Sequence, residues 1–292
     1  MDVVLYAVKG GSSKGKEPVI DVDNLSPRSK RTRSLTGVYD LDKFRSYATF
    51  QDYESYFRDA PLLVERAVEQ AFLLNTSIPK WFATKDWNFL LTSFDELYEN
   101  MVKEFYANAN SKGDELKCWI RGRSFTVTPT YLVEILRINR PMFKKPLVYD
   151  VLDPEKDLLR ETLGEGFKFS SNGKAVSVAL LSPELRLLIT IMFKNPYPLS
   201  STGYMNLGRA LFLHDLVNDE EINICSHVFH ILSKTVERTA SRNCLPFSCL
   251  ISKILKLKGV HPLEDERSYP RLNPINIRTL NASISHTQKG TK

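Results

Sequence analysis

The sequence has few cysteines and no long apolar run, which argues against a disulfide-rich protein and against a membrane-spanning one. Its 292 residues include only four cysteines, Cys118, Cys225, Cys244 and Cys249. So few thiols in so long a chain do not form a disulfide framework, which favours a reducing compartment. No stretch approaches the ~18 apolar residues of a membrane span. The first residues, MDVVLYAVKGG, lack the basic start and apolar length of a signal peptide. We therefore expect a soluble, intracellular protein that does not enter a membrane.

The common sequence patterns of catalysis are also missing. The chain has no Gly-x-x-x-x-Gly-Lys phosphate loop, no Gly-x-Ser-x-Gly elbow, and neither a papain-like nor a kinase-like set. A transposase needs three carboxylates to hold two divalent metals. Asp215 precedes three acidic residues, Asp219, Glu220 and Glu221, that fall in a polar turn between predicted helices, where acids also favour a helix N-terminus. The sequence therefore predicts a protein that is not an enzyme and has no cofactor.

A zinc site is the next alternative, because Cys225, His227, His230, Cys244 and Cys249 are the residue types that zinc prefers. No Cys-x-x-Cys pair occurs, and on a helix Cys225 and His227 point about 200° apart. Core cysteines and surface histidines explain the pattern better. We therefore predict no metal site.

The residues that are abundant favour a packed, mildly basic domain. Hydrophobic residues make up 42% of the chain, with 16 Phe, 12 Tyr and 3 Trp, which is enough for a substantial core. The formal net charge is +6. Such a charge suits a nucleic-acid partner, and it equally suits an ordinary solvated surface.

Composition divides the chain into three parts. Residues 1–38 are rich in Gly, Ser, Lys and Arg and predict a disordered basic arm. Residues 39–263 carry the apolar patterns of a single core domain. Residues 264–292 contain Pro270 and Pro274 and end in a polar run, so we expect a loose C-terminal tail.

The core domain is predicted to be mainly α with a small β-hairpin component, an α+β fold. Helix starts are indicated by capping boxes at Thr49/Asp52 and Ser93/Glu96, and by Thr128 and Ser182, each followed by proline. Alternating residues over 116–127 predict a hairpin that turns at Gly122, and a second hairpin is expected at 167–169 with 176–178. Further helices are expected at about 203–217, 222–239 and 246–258, while 61–74 reads as either helix or strand.

Four segments in this order resemble a known family. They are VKEFYA at 102–107, WIRGRSFTVTPTYLVEIL at 119–136, GRALFLHDLVNDEEINI at 208–224 and LPFSCLISKILKLKGV at 245–260. The set is similar to the putative plant transposon protein domain, often found in retroelement-derived reading frames, and the likeness spans roughly residues 42–262. Ser248 departs from it, since a second proline is expected there. The resemblance implies an origin in a plant transposable element and carries no catalytic residue to this chain.

Two groups of residues are candidates for contact with nucleic acid. The basic run Arg28, Lys30, Arg31 and Arg33 suits phosphate contact or recognition by an import receptor, which would place the protein in the nucleus; a solubilising linker is the alternative. Trp119, Arg121 and Arg123 lie around the hairpin tip, where they could stack on bases and contact phosphates. Ordinary solvated arginines would give the same pattern.

Three functions follow from these observations. The first is a non-catalytic, element-derived module that binds nucleic acid or assembles with itself. The second is a protein-interaction or structural domain, or an inert remnant of the element. The third is an enzyme of transposition of an unrecognised type.

Overall fold

The computed structural model describes most of the chain between residues 39 and 278. The described residues are 39–92, 96–138, 148–149, 152, 154–164, 168–170, 173–199, 203–238, 244–276 and 278. The structural statements that follow refer to these residues. The predicted basic arm, 1–38, lies outside them, as do Ser93 and residue 167 of the expected second hairpin.

Helices dominate the described part of the chain, as predicted. The α-helices are α1 Tyr47–Asp52, α2 Gln70–Leu73, α3 Ile78–Ala83, α4 Glu99–Asn108, α5 Pro129–Leu136, α6 Lys156–Leu163, α7 Pro183–Met192, α8 Leu207–Val217, α9 Ile224–Val236 and α10 Ser248–Leu257. A π-helical turn, Tyr53–Phe57, continues α1, and short 3₁₀ turns lie at Asn88–Leu90 and Val178–Leu180. The segment 61–74, left open by its sequence, contains the short α2 and a single bridge from Leu62 to Leu245.

Two small antiparallel sheets accompany the helices, which confirms the α+β fold class. The first has strands β1 Asn110–Lys112, β2 Glu115–Ile120 and β3 Arg123–Val127 in the order β1-β2-β3. It contains the predicted hairpin, with Ile120 opposite Arg123 at the turn, and adds β1, which was not predicted. The second pairs β4 Ala175–Ser177 with β5 Tyr204–Asn206.

The expected second hairpin is therefore mostly replaced by a longer-range pairing. Only an isolated bridge joins Phe169 to Val176, whereas the whole of β4 pairs with β5. Local alternation predicted the strand at 176 correctly, but it contains no information about a partner 29 positions away in the chain (Val176 opposite Met205).

Helix α4 is the centre of the fold, and it is buried from Met101 to Asn108. One side of it packs against the sheet, whose inward residues Leu116, Cys118 and Ile120 are all buried, and another side packs against α10. A helix buried all round must supply partners for its polar side chains. The Nζ of Lys103 accordingly donates to the carbonyl of Arg58 and pairs with Glu99 at 2.6 Å.

Two of the predicted helix caps are confirmed. The Oγ1 of Thr128 accepts the backbone N–H of Tyr131 at 3.1 Å, and Pro129 is the first residue of α5. The Oγ of Ser182 accepts the N–H of Leu185 at 3.3 Å, with Pro183 at the start of α7. In both helices, the hydroxyl accepts a backbone N–H that has no partner within the helix. Proline is tolerated at the first helical position because the N–H that it lacks would have no partner there.

The two predicted capping boxes are wrong. Helix α4 begins at Glu99 and not near Ser93, because the backbone at Tyr98 is extended and the carbonyl of Leu97 accepts the N–H of Tyr269. This contact with the C-terminal segment holds the residues after Glu96 out of the helix. In α1 the cap is Ser46, whose Oγ accepts the N–H of Thr49; Thr49 itself lies inside the helix.

The C-terminal segment, residues 264–276, has almost no regular structure and yet is attached to the domain at several points. Ile275 is fully buried, and its N–H and carbonyl bond to Ala67 and Glu69 at 2.7 and 3.0 Å. The guanidinium of Arg66 donates to the carbonyl of Asn273. The segment therefore contributes to the core although its sequence has no helix or strand pattern.

None of the described helices is both long enough and apolar enough to cross a bilayer.

Candidate functional site

The β2–β3 hairpin contains three of the predicted contact residues. It turns at Arg121 and Gly122, which both have positive φ, 47° and 76°. Two central residues of positive φ match the twist of the flanking strands, and glycine adopts this conformation without strain. Arg121 is not glycine, so other contacts must hold it in place.

Those contacts are ion pairs that occupy the whole guanidinium of Arg121. Its Nε and Nη2 donate to the two carboxylate oxygens of Glu104 on α4, at 2.8 and 2.9 Å. Its Nη2 and Nη1 donate to Glu266 at 2.6 and 2.8 Å, and Nη1 also donates to the carbonyl of His261 at 3.0 Å. A guanidinium has five N–H donors, and all five are used. We call Arg121, Glu104 and Glu266 the Arg121 cluster.

The cluster corrects the expectation that Arg121 contacts phosphate. No donor remains for a phosphate, and the side chain is only 10% exposed. Burial opposes the charge on Arg121, but the hydrogen bonds with Glu104 and Glu266 outweigh it and raise the pKa of the guanidinium. Burial likewise favours neutral Glu266, yet its hydrogen bonds with Arg121 hold its pKa below the ordinary value. Arg121 therefore joins the hairpin to the core and to the C-terminal segment.

Trp119 and Arg123 do not lie on one face of the hairpin. Cross-strand partners point to the same side of a sheet, and Trp119 is opposite Ser124, on the side away from Leu116, Cys118 and Ile120. Arg123 is opposite Ile120, so it lies on the side of the sheet that faces the core, although its side chain is exposed at the end of the hairpin. The predicted patch of Trp119, Arg121 and Arg123 is therefore divided.

A different set of residues surrounds Trp119. Strand β1 places Lys112 opposite Glu115 and Asn110 opposite Lys117, so both lysines share the side of Trp119. Both lysines are exposed, whereas Trp119 is half-buried. Lys117 lies 3.5 Å from Glu115, an exposed pair that contributes little stability. We call this side of the sheet the outer sheet face; its residues are Asn110, Lys112, Glu115, Lys117, Trp119, Ser124 and Thr126.

Lys112 was not predicted as a contact residue, because strand β1 was not predicted. The signal was weak: a three-residue strand of Asn, Ser and Lys has no apolar alternation. Gly113, with φ of 59°, lies in the turn between β1 and β2 and is the one local sign of a hairpin there.

The basic run Arg28, Lys30, Arg31 and Arg33 lies outside the described residues. The chain enters the described region close to the sheet, because the amide of Asn108 accepts the N–H of Arg45 at 3.2 Å and donates to the carbonyl of Lys43 at 2.9 Å. Asn108 is two residues before β1. Arg33 is ten positions before Lys43, and ten residues span at most about 35 Å when extended.

The residues considered for metal binding do not converge. The four cysteines are free, and Cys118, Cys225 and Cys249 are buried. Asp215 accepts the hydroxyl of Tyr149 at 2.7 Å, whereas Asp219 pairs with Lys85 at 3.1 Å. In the part of the chain that the structure describes, no group of three or more His, Cys, Asp or Glu residues could hold a metal.

A cavity of about 330 Å³ lies beside the start of α10, away from the hairpin. Most of its wall is apolar and comes from the 3₁₀ turn at 88–90, the end of α5 and the beginnings of α9 and α10. These lining residues include Phe89, Leu136, Pro196, Ile224, Val228 and Leu250. Its polar groups include Glu65 and Asn195, which are buried, and Lys253, which is half-buried.

Glu65 is the unusual member of this cavity. Its two oxygens accept the backbone N–H groups of Cys249 and Leu250, at 2.8 and 3.0 Å, so it caps α10 from 184 residues away in the chain. The residue before α10, Phe247, has a φ of 54° and offers no side-chain cap. Burial raises the pKa of Glu65 in spite of these hydrogen bonds. This role of Glu65 was not predicted, since the sequence around it has no clear periodicity.

The family comparison agrees with the resemblance seen in the sequence. A family model described as "Putative plant retrotransposon-related domain" matches residues 84–261, more than half of the chain. The chain belongs to this family. No curated protein and no solved structure showed significant similarity to it. The match to this plant retrotransposon-related domain includes α4, the three-stranded sheet and α10, so the sheet and most of the cavity wall belong to the family region.

Proposed function

We propose that this retrotransposon-related domain is a non-catalytic module that binds single-stranded nucleic acid with its outer sheet face and its basic arm. The observation that carries the proposal is the register of the sheet, in which Trp119 lies opposite Ser124 and shares the side away from the core with Lys112 and Lys117. A ring at such a position is accessible to a base.

The chemistry of this face suits a single strand better than a duplex. Unpaired bases stack on aromatic side chains, and this stacking contributes about 1–3 kcal/mol per base with little sequence preference. Lysines on the same face attract the phosphates between the bases. A double helix hides its base faces, so Trp119 would gain nothing from it.

The basic arm extends the same surface. It contains four basic residues over 26–33 and no acidic one. The backbone groups of Lys43 and Arg45 bond to Asn108, two residues before β1, so the arm precedes a segment that is attached beside the sheet. Flexible basic arms add phosphate contacts without adding sequence readout. The expected binding is therefore salt-dependent and tolerant of sequence.

Fluorescence anisotropy with a labelled single-stranded oligothymidine tests the proposal. Trp119→Thr keeps a residue that favours strands and removes the ring, whereas Trp119→Phe keeps a ring. We expect Trp119→Thr to weaken binding about tenfold or more, and Trp119→Phe to lose much less. Equal binding by wild type and Trp119→Thr, or no binding at about 50 mM salt, would contradict the proposal.

Self-association is the alternative within the same class of non-catalytic module. Sedimentation equilibrium of the full chain, with and without the oligonucleotide, separates the two. A monomer that binds the oligonucleotide supports the proposal, while an oligomer that does not bind it supports assembly.

A further inference from the structure

Most of the polar side chains around the cavity beside α10 already have hydrogen-bond partners. The carboxylate of Glu65 accepts its own backbone N–H, the backbone N–H groups of Cys249 and Leu250, and a hydrogen bond from the thiol of Cys249. A carboxylate offers about four lone-pair positions, so no position is left for a ligand. Glu65 therefore caps α10 and does not act as a binding group.

Asn195 and Thr92 are occupied in the same way. The amide nitrogen of Asn195 donates to the carbonyls of Arg66 and Leu90, and its Oδ1 accepts the backbone N–H of Arg66 at 2.8 Å. The hydroxyl of Thr92 donates to the carbonyl of Phe89 at 3.2 Å. Neither side chain has a donor left for a molecule in the cavity.

Lys253 is the polar side chain of the cavity wall that has donors to offer. It lines the cavity and is half-buried. Among the described lysines, Lys85, Lys103 and Lys117 form ion pairs with carboxylates, whereas Lys253 forms none. Its ammonium group has three N–H donors and a positive charge. The described residues of the cavity therefore combine an apolar space with one unpaired cation.

The position of Lys253 keeps its charge near water. Lys253 follows Leu250 by three residues, so the two side chains are neighbours on one side of α10. A lysine in such a place packs its methylene groups against apolar surface and keeps its ammonium group hydrated. Glu65, in contrast, is only 5% exposed. An anion beside Lys253 would therefore lie toward the entrance of the cavity and keep part of its hydration.

The charge of Glu65 is only a weak obstacle to an anion in the cavity. Its backbone donors Cys249 and Leu250 belong to the N-terminus of α10, whose positive dipole end compensates a negative charge. Burial also raises the pKa of Glu65, which favours its neutral form. One lysine balances one negative charge, so a carboxylate suits the cavity better than a phosphate group, which carries about −1.5 to −2.

The rest of the cavity suits an apolar body. Its wall includes Phe89 from the 3₁₀ turn, Leu136 from the end of α5, and Ile224 and Val228 from α9. A volume of about 330 Å³ is at the small end of ligand pockets and is sufficient for one aromatic ring with a short chain. The wall therefore selects for size and apolar character, whereas Lys253 selects for charge.

We propose that this cavity binds a small carboxylic acid with an apolar body, and that the ammonium group of Lys253 receives the carboxylate. The site is separate from the proposed nucleic-acid surface. The cavity is formed by α5, α9, α10 and the 3₁₀ turn, whereas the outer sheet face lies on β1, β2 and β3. Binding of the acid therefore does not depend on whether the sheet binds an oligonucleotide.

Isothermal titration calorimetry on the full chain at neutral pH tests the site with 3-phenylpropionate and 3-phenylpropan-1-ol, which share the ring and the chain and differ in the charged group. We expect the carboxylate to bind at least about fivefold more tightly than the alcohol, since hydrogen bonds between charged groups are the stronger ones. Lys253→Met keeps the apolar stem and removes the charge, so the preference for the carboxylate should disappear. Wild-type protein that binds neither compound, or both equally, would overturn the proposal.

Lys256→Met is the matched control, because Lys256 is an exposed lysine of the same helix and is not among the described residues that line the cavity. It should keep the wild-type preference for the carboxylate. An equal loss of preference in Lys253→Met and Lys256→Met would mean that the net charge alone attracts the acid, which would refute the site.

Two further variants locate the bound molecule. Leu250→Trp fills the cavity from the half-buried start of α10 and should bind neither compound, while circular dichroism checks that it is folded. Trp119→Thr removes the ring of the outer sheet face and should bind both compounds as the wild type does. Retained binding in Leu250→Trp, or lost binding in Trp119→Thr, would show that the acid binds elsewhere.

Discussion

Arg121 and Glu266 are 145 residues apart in the sequence, and hydrogen bonds of 2.6 and 2.8 Å join their side chains. The guanidinium also bonds to Glu104 on α4, so one side chain connects the hairpin turn, the central helix and the C-terminal segment. Arg121 holds its positive φ at the turn while making these bonds. The cluster explains how a segment without secondary structure stays on the surface of the core.

Replacing Arg121 should be strongly destabilising. Arg121→Met removes the cation and leaves Glu104, which is buried, without its partner, and breaking a buried ion pair in this way costs roughly 3–5 kcal/mol. Methionine has the same difficulty with positive φ as arginine, so backbone strain is unchanged. The free energy of unfolding from urea denaturation measures the effect.

Arg123→Met is the matched control, because Arg123 is an exposed arginine two residues away on the same hairpin. Its substitution should change the free energy of unfolding by no more than about 0.5 kcal/mol. A similar loss in the two variants would show that the cluster does not stabilise the fold.

The cluster should also make stability depend on pH through Glu266. Its pKa in the folded chain is lowered from 4.5, so its contribution is present above that value and is lost as pH falls through the folded pKa. The wild-type protein should therefore lose stability on acidification more steeply than Glu266→Gln, which has no group to titrate there. Unfolding free energies from about pH 6 down to about pH 3 measure the difference; parallel curves would argue against a coupled Glu266.

The cap of α5 offers a local test that is independent of the cluster. Thr128→Ala removes the hydroxyl that accepts the N–H of Tyr131 and should cost about 1 kcal/mol. Thr128→Ser keeps the hydroxyl and should recover most of this loss. Urea denaturation compares the two variants, and equal destabilisation would mean that the methyl group of Thr128 matters more than its cap.

The elements predicted correctly from sequence are those whose signals are local. The hairpin at 116–127, the caps at Thr128 and Ser182 and the late helices each depend on residues a few positions apart. The capping box at Ser93 and Glu96 met every local requirement and still did not start α4, because the carbonyl of Leu97 bonds to Tyr269. A contact between residues so distant has no local signature.

The candidate site shows the same division. Trp119 could be placed on the outer sheet face from the alternation of β2 alone, since residues two apart share a side. The burial of Arg121 in ion pairs could not be predicted in this way, because its carboxylate acceptors are 17 and 145 residues away in the chain. Glu65 was missed for the same reason, since its partners lie 184 and 185 residues further along the chain.

The basic arm should determine how strongly nucleic-acid binding depends on salt. Each phosphate contact on a single strand contributes about 0.7 to the slope of log affinity against log salt. A variant with alanine at four positions should therefore reduce the slope by up to about 3. The positions are Arg28, Lys30, Arg31 and Arg33.

The control variant removes the same number of charges from exposed positions that lie neither in the arm nor on the outer sheet face. These positions are Lys80, Lys168, Lys256 and Arg271. Anisotropy titrations over a salt series compare the two variants with wild type. A reduced slope in the arm variant alone supports direct phosphate contact, whereas equal slopes in both variants would mean that only the net charge of +6 attracts the strand.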